Sequence, residues 1–130
     1  MKESGLLEKE ALAFIKAKIE SVPHLEALLL VWRTRPRTWH APELAARLYI
    51  EVDASAQLLR DLAQQHLLTS VPSEDVSFLY EGSPERDQLM TGVEEVYRTQ
   101  LVRVSTMIHS KASPAVRDFA RAFRFTKDRP

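Results

Sequence analysis

The chain has 130 residues, 45% of them hydrophobic and 28% charged, with a formal net charge of zero. That length supports one domain with its own core, and the lack of cysteine excludes disulfides, thiolate metal sites and cysteine nucleophiles. No run approaches the roughly 18 apolar residues of a membrane span, and the acidic opening MKESGLLEKEALAF speaks against a signal peptide, so a cytoplasmic protein without membrane contact is expected.

In chain order, Ser4 to about Glu20 reads as an amphipathic helix with Leu7, Ala11, Phe14, Ile15 and Ile19 on one face. Ser21-Val-Pro23 ends it and starts another, because proline is tolerated in a first helical turn. His24 to Trp32 is apolar nearly all round and reads as the most buried helix. Pro36 stops it, in a loop that places Arg33, Arg35 and Arg37 within five residues. Thr38-Trp39 suits a short strand, and His40-Ala-Pro42-Glu43 has the shape of a capping box with histidine in the usual Ser/Thr place.

From Glu43 to Leu68 the chain reads as two short helices around a tight turn. Leu44 and Leu48 close one face, Leu58, Leu59 and Leu62 another, and Asp53 stands where the second helix needs an N-cap acceptor. Thr69–Val71 and Val76–Tyr80 form a hairpin across the turn Pro72–Asp75, with Phe78 and Tyr80 on its buried face. Ser83-Pro84 starts a further helix whose stripe of Leu89, Val93, Val96, Tyr97, Leu101, Val104 and Ile108 runs to about Ser110. Unbroken, it would span about 40 Å, more than a small domain needs, although Gly92 interrupts it. A last helix is expected from Ser113-Pro114 to about Phe125.

The spacing from Leu44 to Leu68 resembles, without a gap, the helix-turn-helix of MarR-like winged-helix regulators, whose pattern is roughly L-A-x-x-L-x-V-S-x-x-x-V-x-x-x-L-x-x-L-x-x-x-G-L. Tyr49 replaces the usual turn glycine, Ser55 a core valine, and His66 the glycine before the wing. Ser21-Val22, Trp39 and the segment FARAFRFTKD (Phe119 to Asp128) are further similar to a set of small bacterial winged-helix proteins. The resemblance implies a mainly α fold with a small β-hairpin: a winged helix-turn-helix core (21–82), an N-terminal helix (1–20) and C-terminal helices (83–130), all in one domain.

Charge is unevenly spread. Between Ala41 and Gly82 two basic residues, Arg47 and Arg60, face seven acidic ones, and the flanking segments carry the balancing positive charge. If the second helix of the motif enters a major groove, Ser55, Ala56, Gln57, Arg60 and Gln64 are the candidate readers, glutamine pairing with adenine and arginine with guanine. Asp53, Asp61 and the hairpin-tip Glu74 and Asp75 would repel phosphates, whose neutralisation supplies most non-specific affinity. Arg33, Arg35 and Arg37 could compensate, or could be an ordinary solvated loop.

No catalytic pattern is visible. The three glycines, Gly5, Gly82 and Gly92, form no phosphate loop, dinucleotide fingerprint or nucleophile elbow. The histidines His24, His40, His66 and His109 show no ligand spacing, so neither metal nor cofactor is expected. Glu74/Asp75 and Glu94/Glu95 read as solvated surface. An arginine row at Arg117, Arg121 and Arg124 beside Val116, Phe119, Ala120 and Phe123 suits a partner surface, or a helix docked on its own core. With Val93, Val96 and Tyr97, these residues suggest a non-catalytic regulatory module acting mainly through protein contacts and self-association as a homodimer. On that reading, a charge at Val93 or Val96 breaks the assembly. The alternative is a dimeric transcriptional regulator that binds DNA directly through the helix from Asp53 to His66.

Overall fold

A computed structural model describes residues 2–72 and 76–110. Within them lie six helices and a small antiparallel sheet: α1 (Lys2–Lys18), α2 (Val22–Arg33), β1 (Trp39–His40), α3 (Ala41–Leu48), α4 (Val52–Gln64), β2 (Leu68–Val71), β3 (Ser77–Tyr80), α5 (Pro84–Thr99) and α6 (Leu101–Ser110). The hairpin tip at Glu74 and Asp75, and the expected last helix with Arg117, Phe119, Arg121, Phe123 and Arg124, lie outside the described residues.

Local chemistry sets most element starts. Ser21 caps α2 by accepting the His24 backbone N–H, and Ser83 caps α5 by accepting that of Arg86 at 3.2 Å. His40 and Glu43 complete a reciprocal capping box at α3: the His40 ring accepts the Glu43 N–H, and the Glu43 carboxylate accepts the His40 N–H at 3.2 Å. The start of α4 differs from expectation. Glu51, not Asp53, occupies the N-cap and makes no side-chain cap bond; Asp53 sits in the first turn, where its charge still complements the helix dipole.

α2 is buried from Ala27 to Trp32 and at Leu25, and forms the axis of the core. α3 and α4 pack on one another, and α4 is joined through β2 to the sheet, whose strand order is β1-β3-β2. Trp39 pairs with Phe78 and Leu68 with Tyr80, and all four side chains are buried. Tyr49 closes α3 in the left-handed region at φ 58°, and His66 has φ 62°. These are two of the places where the family pattern has glycine, which alone adopts that region without a Cβ penalty.

The long C-terminal stripe is not one helix. α5 runs straight through Gly92, which gives α1 its close approach: a Cβ there would stand 2.8 Å from Leu7 Cγ. The break comes at Gln100 (φ −132°, ψ 46°), whose side chain donates to Glu8 of α1 at 2.7 Å and accepts from Arg103 at 2.8 Å. The break turns Leu101 outward, while Val104 and Ile108 return to the core. Val93 and Val96 are buried within the chain itself, α5 lying along α1, so they are core residues and not a surface for a partner.

Candidate nucleic-acid interface

The helical period divides α4 cleanly. Ser55, Leu58, Leu59 and Leu62 face the core, while Asp53, Gln57, Arg60 and Gln64 share the exposed face. Ser55 was expected among the base readers, but it is fully buried, and its hydroxyl donates to the Ala41 carbonyl at 2.9 Å. A hydroxyl in place of an apolar branch thus tethers α4 to the first turn of α3. Ala56 is half-buried and contributes lining, not polar contact.

On the exposed face Gln57 and Arg60 are already linked. Arg60 donates to the Gln57 amide oxygen at 2.9 Å, and the Gln57 amide nitrogen donates to Asp61 Oδ1 at 2.7 Å. Asp61 Oδ2 meets His24 Nε2 of α2 at 2.8 Å. Arg60 also lines a groove of about 360 Å³ with His40, Ala41, Pro42, Ala56, Val76 and Phe78, between α4, the start of α3 and the hairpin. The groove sets one permanent cation over an apolar floor, suited to an anionic group that also presents flat or apolar surface.

The arginine loop does not act as a unit. Arg33 pairs with Glu94 of α5. Arg35 follows into a cis bond with Pro36, donates to the Trp32 carbonyl at 2.7 Å and lies 4.8 Å over the Trp32 ring. Arg37 pairs with Glu43 at 3.1 Å and lies 3.9 Å over the Trp39 ring, whose indole N–H donates to Thr34 Oγ1 at 2.8 Å. Through Glu43 and His40, Arg37 adjoins the groove, whereas Arg33 is committed to α5. Partial burial opposes ionisation of Glu43, but the His40 backbone N–H, the Arg37 guanidinium and the His40 ring outweigh it and hold its carboxyl below the ordinary range.

The other acidic pair divides in the same way: Glu94 takes Arg33 and Glu95 takes Arg98, both as surface ion pairs. Tyr97 is half-buried, with burial and then Glu26 raising its hydroxyl above the ordinary phenolic range. No described helix is long and apolar enough to cross a membrane.

No protein-family model matches the chain, and no curated protein matches it in sequence. Solved structures do resemble it. MepR, a transcription regulator of the Staphylococcus aureus multidrug efflux pump MepA, is 12% identical at a TM-score of 0.53, over 97% of this chain and 90% of that one. RV1404 from Mycobacterium tuberculosis is 18% identical at 0.53, over 98% and 86%. The transcriptional regulator Tm0710 from Thermotoga maritima is 12% identical at 0.52, over 98% and 90%. The fold is a winged helix of the kind these regulators have.

Within this winged helix, α3 and α4 form the helix-turn-helix and β2 and β3 the wing. Of the polar residues expected on α4, Ser55, Gln57, Arg60 and Gln64, the structure leaves the last three on the exposed face of the helix, as helical spacing predicts, and buries Ser55. Sequence reasoning misses His40 as a groove residue and the contact of His24 with Asp61, because 37 residues separate that pair and no local signal links them.

Proposed function

We propose that the chain is a non-catalytic transcriptional regulator that binds duplex DNA through α4, reading bases with Gln57, Arg60 and Gln64 while Arg37 and Arg60 supply phosphate contacts. The observation that carries this reading is the common exposed face of Gln57, Arg60 and Gln64 beside the groove at Arg60. The winged-helix fold adds support at the level of fold only. Of the residues that would carry the competing reading, a module working mainly through protein contacts, Val93 and Val96 fill the chain's own core, while Arg117, Phe119, Arg121, Phe123 and Arg124 lie outside the described residues. Self-association remains part of the proposal. Leu101 and Val102, 50% and 79% exposed at the α5–α6 break, are its candidate surface, and a homodimer would set two copies of α4 at a fixed spacing.

Few cations reach this face, so affinity should rest on a small number of contacts and have a shallow salt slope. Fluorescence anisotropy on mixed duplex DNA over a low-to-physiological salt series tests the proposal. Wild-type protein should bind at low salt, and Arg60→Ala should weaken binding tenfold or more. Absence of binding at the lowest salt would sink the DNA reading.

A further inference from the structure

We propose that Glu20, His24 and Asp61 form a binding site for a divalent transition-metal ion on the inner flank of α4. Three separate segments meet there: the link between α1 and α2, the first turn of α2, and the second half of α4. One ligand atom from each lies within 4.8 Å of the other two. Tetrahedral bonds of about 2.0–2.2 Å put neighbouring ligand atoms about 3.4 Å apart. His24 Nε2 and Asp61 Oδ2, at 2.8 Å, need open only slightly to take an ion between them. Glu20 is exposed and closes the third position by a swing of its side chain, leaving the remaining positions to water.

The surroundings suit ligation. His24 Nδ1 meets Ser21 Oγ, so the ring is oriented from outside the site, and the second Asp61 oxygen is held by Gln57. The side chains of His24 and Asp61 are 12% and 21% exposed, which limits competition from water without closing the entrance. One imidazole with two carboxylates selects a first-row ion such as zinc over calcium or magnesium, which prefer all-oxygen shells. An ion here would neutralise Asp61, which follows Arg60 in the chain and accepts from Gln57 one turn earlier, and so lessen the acidity of the reading face. That last consequence rests on the DNA-binding reading; the site does not.

The test is a zinc titration of the full chain against a chromophoric chelator near neutral pH, with no DNA present. One equivalent should bind and raise the thermal midpoint, as expected for a ligand of the folded state. His24→Ala and Asp61→Asn should each weaken binding tenfold or more, Glu20→Gln by less, and His66→Gln should leave it unchanged. Asp61→Asn and Glu20→Gln preserve side-chain shape, and metal-free melting verifies that each variant folds. No stoichiometric binding, or binding that survives both His24→Ala and Asp61→Asn, overturns the site. In the anisotropy assay zinc should then strengthen DNA binding by wild type and not by Asp61→Asn. Zinc bound with no DNA affinity at any salt would keep the site and remove the DNA reading instead.

Discussion

Glu43 acts at two positions at once. One carboxylate oxygen accepts the His40 backbone N–H that begins α3, and the other takes Arg37. Because its folded-state pKa is lowered, its contribution is fully present above the unfolded value of about 4.3 and is lost as pH falls through the folded value. Glu43→Gln should therefore lower the thermal midpoint at neutral pH by a few degrees, and the gap to wild type should close as both are melted at progressively lower pH through the carboxylate range. A constant gap at all pH values would mean that only the shape of the side chain counts. The capping box is legible in sequence because its partners stand three residues apart. Ser55 is not: the same residue type fits an exposed reader or a buried tether, and only its acceptor, the Ala41 carbonyl 14 residues away, decides.

At the scale of elements, helix starts and apolar faces follow from spacing, whereas helix ends set by distant contacts do not. The stripe from Leu89 to Ile108 is compatible with one continuous helix, and Gly92 is the natural suspect for any break. In fact the break is at Gln100, fixed by Glu8 from the far end of the chain, and Gly92 serves packing. Alanine favours helix over glycine by about 1 kcal/mol, but overpacking costs about 1–3 kcal/mol. The nearest atom to the added methyl is the branch point of Leu7, not a flexible end. Gly92→Ala should thus be neutral to destabilising by about 2 kcal/mol in chemical denaturation. A clear gain in stability would show that α1 can shift away at little cost.

For the molecule as a whole, burial separates assembly from folding. Val93 is fully buried, and an unpaired charge in such a site costs several kcal/mol out of a total stability of about 5–15 kcal/mol. Val93→Asp should lose its helical circular-dichroism signal or aggregate; a well-folded monomer in light scattering would instead return Val93 to an interface. The same scale limits what charge counting reveals. The segment Ala41–Gly82 is acidic by sequence, yet Glu43 is spent on Arg37 and Asp61 on His24. The field at the exposed face of α4 therefore depends on pairings that cross elements and that a linear count does not see.

The position of Arg37 over Trp39 gives the protein an optical reporter of its own. Trp39 is 1% exposed and hydrogen-bonded through its indole, so its emission is shielded from solvent and sensitive to the guanidinium above it. The second tryptophan, Trp32, lies under a different arginine, Arg35. With Trp32 replaced by phenylalanine, any event that draws Arg37 off the ring would register as a change in intrinsic fluorescence, with no label attached.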